Sequence, residues 1–93
     1  MDTPIIIKEI IEKYGIEKQT LMLAEEQGEL VKAINKRLRG KTQDSNEIAE
    51  EWADVMIVMA GIRYYFGITE EQINKNIEQK MHRMIDRYNK GVL

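Results

Sequence analysis

The sequence has no cysteine, which excludes disulfides, thiolate nucleophiles and zinc sites built on sulfur, and fits a reducing cytoplasm. Its one proline is at position 4, and no stretch shows the β-branched alternation bounded by turns that a strand requires. Glycine is scattered rather than clustered, so no phosphate-cradling loop of the P-loop kind is present. His82 is the only histidine, too few for a di-iron site with two Glu-x-x-His helices. Positive charge is not in excess: the formal net charge of −2 gives no electrostatic footprint for nucleic acid polymers. Long apolar runs are missing too. The longest, Val55 to Ile62, falls far short of the ~20 residues that span a bilayer, and the N-terminus lacks the basic and cleavable segments of a signal peptide. A soluble, cytoplasmic protein is expected, with no membrane partner.

What is present is ordinary for a folded domain. Hydrophobic residues make up 43% and charged residues 32%, well outside the signature of disorder. With 93 residues the chain forms one domain, residues 1–93, without repeat or linker. A domain of that size buries only about 60% of its unfolded surface, so partner subunits would help it.

Punctuation and period predict four helices. Thr3-Pro4 reads as an N-cap followed by proline at the first helical position, and Gly15 stops this short helix after Ile6, Ile7, Ile10, Ile11 and Tyr14. A longer helix runs from Ile16 to about Leu38, closed by Gly40. Asp44 and Glu47 form a capping-box pattern for the third, which continues to Phe66 with Gly67 behind it. Thr69 and Gln72 repeat the pattern for the fourth, whose apolar stripe is Ile73, Ile77, Met81, Met84 and Tyr88. The fold class is all-α, and short loops make successive helices antiparallel neighbours in a bundle. The third helix is apolar on every side from Val55 to Ala60 and must be covered all round, which four helices of one subunit can hardly do. A dimer or larger homo-oligomer centred on it is expected.

The informative residues are acids at inward-turning positions. Glu26 and Glu29 are three apart on the second helix, Glu51 and Asp54 three apart on the third, and that spacing puts each pair on one face. They border apolar residues, and no Lys or Arg sits four residues after Glu26, Glu51 or Asp54 to make a routine surface ion pair. Carboxylates converging inside a bundle repel at reduced dielectric, and some would protonate unless cations bound. Mg²⁺, which takes oxygen ligands and leaves positions open for phosphate oxygens, fits such a site, with Mn²⁺ as a substitute. Glu25, Glu47 and Glu50 stand ready as outer acceptors, further ligands or a water-activating base. The competing reading of each pair alone is a solvated helix face.

Taken together, Glu25-Glu26-Gln27-Gly28-Glu29-Leu30 and, some twenty residues later, Glu50-Glu51-Trp52-Ala53-Asp54-Val55 resemble the EExxE and ExxD signature of the MazG-like all-α NTP pyrophosphatases. The likeness covers roughly Leu21 to Arg87. It implies a four-helix core assembled as a dimer or dimer of dimers, with Mg²⁺ held by Glu26, Glu29, Glu51 and Asp54. It implies also the reaction, hydrolysis of a nucleoside triphosphate between the α and β phosphates to a monophosphate and pyrophosphate, with Glu25 or Glu26 as candidate catalytic base. Lys80 and Arg83 resemble the family's Lys-x-x-Arg segment and would hold phosphates, across the bundle or from a second subunit; the plainer reading is a solvated face. Trp52 is a candidate for stacking on the base, against the commoner use of a helical tryptophan in a core or interface. Lys36, Arg37, Arg39 and Lys41 read as a solubilising helix end favoured by the macrodipole. The alternatives to a (d)NTP pyrophosphohydrolase are a phosphoribosyl-ATP pyrophosphohydrolase and a non-catalytic helical nucleotide-binding or interaction module.

Overall fold

The computed structural model describes residues 3–92, and among these every regular element is an α-helix: α1 (Thr3–Leu38), α2 (Asn46–Phe66) and α3 (Glu70–Asn89). The first two helices expected from the sequence are one element here, bent at Gly15, whose φ of 83° and ψ of 161° leave helical geometry for a single residue. Only glycine adopts that conformation without a steric cost, so the stop signal is real. Helical geometry resumes at once, and a bend takes the place of a loop. The capping role expected of the Thr3 side chain lies outside the described residues.

The entry to α2 differs from its expected capping box. Ser45 occupies the N-cap position with no side-chain capping bond. Asp44 works one residue further out instead, its Oδ1 accepting from the Asn46 N–H at 2.8 Å. Glu47, the other half of the expected box, has its Oε1 on the Lys36 ammonium of α1 at 3.1 Å. An inter-helix partner has outcompeted the local one. At α3 the box is complete: the Gln72 N–H donates to Thr69 Oγ1 at 3.1 Å and the Thr69 N–H to Gln72 Oε1 at 2.8 Å. Between α2 and α3 the chain turns at Gly67, whose φ of 66° lets its N–H and that of Ile68 close onto the carbonyls of Tyr64 and Arg63, each at 3.1 Å.

Helices α1 and α2 pack as an antiparallel hairpin. Ile11, Ala33, Val55 and Val58 are its buried apolar side chains, and Gly61 brings α2 close to Ile7. Helix α3 has no such partner. Among the described residues only α1 and α2 pack on one another along their lengths, and every residue of α3 is exposed, the stripe of Ile73, Ile77, Met81, Met84 and Tyr88 included. The radius of gyration is 16.7 Å, against about 12 Å for a closed domain of this length. One chain therefore leaves the expected bundle open. Along α2, Met56 (60% exposed) and Ile57 (56% exposed) confirm that a single subunit does not cover this helix on all sides. No described helix is long and apolar enough to cross a membrane.

Candidate metal centre

The hairpin sets residue against residue in reverse order: Lys36 opposite Glu47, Glu26 opposite Glu51 and Asp54, Ile7 opposite Gly61. The two acidic segments therefore meet midway along the seam. One carboxylate oxygen each from Glu26, Glu51 and Asp54 lies within 4.8 Å of the others; Glu26 and Glu51 are half-buried and Asp54 exposed. Helical spacing explains the meeting, since Glu51 and Asp54 project from one face of α2 toward the face of α1 that carries Glu26.

The electrostatics follow from this crowding. The Glu51 carboxyl is pushed above its ordinary range, first because burial disfavours its charged form and then because Asp54, Glu26, Glu29 and Glu47 surround it with negative charge. Glu29 thus acts on the cluster through its field although it is exposed and not among the three converging groups. Some relief comes from Lys36, bound to Glu47. Both are about 40% exposed, so the pair contributes about 1 kcal/mol or less and fixes the end of the hairpin more than it neutralises the site. The Arg37 Nε beside it is buried without a hydrogen-bond partner among the described residues. Two members of the basic cluster near the first loop are thus drawn into the hairpin rather than solvated.

Other residues singled out in the sequence lie apart. Glu25 is exposed and outside the converging group, and Trp52 projects into solvent one residue past Glu51. Lys80 and Arg83 ride on α3, which carries them away from the carboxylates of their own chain. What the sequence reading passed over is Gln19, the one buried polar residue among the described residues, at 5% exposure. A signal existed: Gln19 stands seven residues before Glu26, two turns along the same inward face.

The donor set is all oxygen, drawn from two rigid helices, with one member driven toward its protonated form by its neighbours. It fits a hard divalent cation such as Mg²⁺, which prefers carboxylates and keeps positions for water and phosphate, and it offers nothing to a soft metal. In comparisons with known proteins, the profile of the MazG nucleotide pyrophosphohydrolase domain matches residues 14–92. No curated protein and no solved structure matches the chain.

Proposed function

The chain belongs to the MazG nucleotide pyrophosphohydrolase family, and from that premise we propose that it is a Mg²⁺-dependent hydrolase that splits a nucleoside triphosphate between its α and β phosphates. The observation that carries the reading is the convergence of Glu26, Glu51 and Asp54 within 4.8 Å across the α1–α2 seam. Such a cluster is electrostatically unfavourable alone and favourable around a cation. Glu26, Glu51 and Asp54 would hold the ion and Glu29 would complete the acidic field, with Mn²⁺ as a substitute. When bound, the ion supplies the charge neutralisation that a polyphosphate needs and acidifies water. Glu26 within the cluster, or Glu25 next to it in the chain, would take a proton from the attacking water.

The working unit is a dimer or a dimer of dimers in which α3 of one copy covers the hairpin of another and closes the four-helix arrangement, counting α1 as two segments either side of Gly15. Two features support a second copy of the chain as the occupant. The exposed stripe of α3 begins at Ile73, which lines a groove of about 420 Å³ with Leu23, Met56 and Met59. One edge of that stripe carries Lys80, Arg83 and Arg87 in helical register, the complement of the acidic seam, while Asp86 beside them is paired with Lys90 at 3.0 Å. Docked on a partner, this edge would bring Lys80 and Arg83 to the phosphates that the carboxylates and ion hold from the other side. Trp52, exposed beside Glu51, would contact the substrate or the second copy. The absence of cysteine supports work in the cytoplasm.

Pyrophosphate release from a panel of nucleoside triphosphates, with and without Mg²⁺, tests the activity directly, and phosphoribosyl-ATP in the same panel tests the sister reaction. Asp54→Asn is expected to lower turnover by more than about a hundredfold, beyond the 10–100-fold usual for groups that merely orient ligands, with helical circular dichroism unchanged. Near-wild-type turnover of this variant at saturating Mg²⁺ would remove the carboxylates from the mechanism.

A further inference from the structure

About one turn along the helices from the carboxylate cluster begins a groove of about 510 Å³ between α1 and α2, a volume typical of small-ligand sites. Met22 of the groove is one turn before Glu26, and Ile57 and Val58 are about one turn after Asp54, so its near end is some 5.4 Å along the helices from the metal ligands. Its far end is the Tyr14 ring, with the Lys18 ammonium 6.0 Å from the ring centroid. The walls are apolar. Set into them is Gln19, 95% buried by its 5% exposure, and none of the side-chain hydrogen bonds among the described residues involves it. Among the described residues Arg37 Nε is the one fully buried side-chain polar atom without a partner, so the small remaining exposure of Gln19 includes its amide, which stays open to a ligand in the groove it lines.

We propose that this groove is the nucleobase subsite of the enzyme and that the Gln19 amide reads the edge of the base. The inference rests on the phosphates lying at the carboxylates. A groove of this volume, lined by Met22 and Ile57, accommodates a heteroaromatic ring, and the carboxamide presents a donor beside an acceptor in one plane, the pattern that pairs with adjacent groups on a base edge. The Tyr14 ring lines the same groove and offers an aromatic face to a heteroaromatic ring. The seam then divides the substrate, with phosphates at the acids and base toward the Gly15 bend.

The test is calorimetric binding, in Mg²⁺, of four α,β-methylene nucleoside triphosphates and of inorganic tripolyphosphate, which has phosphates and no base. Wild type is expected to bind at least one nucleotide more tightly than tripolyphosphate. Gln19→Leu should weaken nucleotide binding about tenfold, the scale of a pair of neutral hydrogen bonds, narrow the spread among bases, and leave tripolyphosphate unchanged. Ile57→Trp, at a position exposed enough to accept the ring, should block nucleotides and spare tripolyphosphate without changing the mass in light scattering. Equal weakening of all probes by Gln19→Leu, an unchanged nucleotide profile, or a change of oligomeric state on Ile57→Trp overturns the proposal. So does tripolyphosphate binding with no nucleotide bound more tightly, a result that leaves the phosphate site standing. Failure of every probe to bind removes the pyrophosphohydrolase reading and this inference with it.

Discussion

Helix α3 is the better-made helix and the α1–α2 hairpin the better-packed one. Helix α3 has a complete capping box, acids in its first turn, a basic residue in its last and a clean apolar stripe, yet buries none of its residues. The entry to α2 has no side-chain cap and α1 is broken by a glycine, but these two hold every buried side chain among the described residues. Local signals decide whether a helix forms; complementary surface decides where it goes. A lone helix of 20 residues is only marginally stable in water. The quality of its caps and the sharpness of its stripe would suit the proposed docking of this segment on another surface. The proposed chemistry would be divided the same way, with acids on the hairpin and the Lys80–Arg83 pair on the unattached helix.

The largest expected effect comes from attacking the open side of this contrast. Ile77→Asp with Met81→Asp leaves the hairpin and all the carboxylates untouched. If α3 docks on a second copy, the double variant should scatter as a monomer of 10.9 kDa, lose part of its helical dichroism as α3 frays, and release pyrophosphate at background rates. Wild-type mass and activity in that variant would mean that the stripe faces solvent in the working enzyme.

The sequence disclosed the local part of this architecture and left the tertiary part dark. Gly40, Gly67 and the Thr69–Gln72 box are decided within a few residues, and the chain turns where they stand. Acid spacing was legible for the same reason, because i, i+3 geometry follows from the helix alone. Gly15 marked the break between the first two helical segments, its positive φ ending helical geometry there, while the absence of a loop after it depends on what packs on either side. The Asp44–Glu47 box failed because Lys36, eleven residues before Glu47, competes for its carboxylate, and no local pattern records that. Gln19 was legible only through its register with Glu26 seven residues on, because helical propensity by itself says nothing about which glutamine is covered. The placing of Lys80 and Arg83 depends on a surface that the chain by itself does not provide.

The closed side of the contrast is sharpened by pH. Glu51 titrates above its ordinary value near 4.5, raised by burial and then by Asp54, Glu26, Glu29 and Glu47. Between that value and the raised one the folded chain holds more proton than the unfolded chain. Stability contributed by this group therefore falls as pH rises through the window, and the penalty persists at every higher pH. In EDTA, the difference in thermal midpoint between Glu51→Gln and wild type should widen in favour of the variant as pH is raised from mildly acid to neutral. Saturating Mg²⁺ should reverse it, since a ligand confined to the folded state adds about 2.7 kcal/mol at a hundredfold excess over Kd. A pH-independent difference, unmoved by Mg²⁺, would show that the carboxylates neither repel one another nor share a cation.

The smallest expected effect tests how tightly the seam itself is shut. Gly61 lies buried in the interior of α2, where glycine costs about 0.5–1 kcal/mol relative to alanine because the unfolded chain has more freedom to lose. A Cβ built there meets only Ile7 Cγ2, at 3.8 Å, an ordinary van der Waals distance that requires nothing to move. Gly61→Ala should therefore recover part of that cost and raise the thermal midpoint by a few degrees, since about 1 kcal/mol is worth some 4–8 °C in a domain this small. Alanine here also adds a methyl to the wall of the groove that holds Gln19. Its influence on nucleotide affinity should stay below that of Gln19→Leu, because it fills space without removing a hydrogen-bonding partner. A drop in the midpoint of several degrees would mean that α1 and α2 approach more closely in the assembled enzyme than in one chain. The contrast would then shift, with the partner compressing the hairpin as well as covering α3.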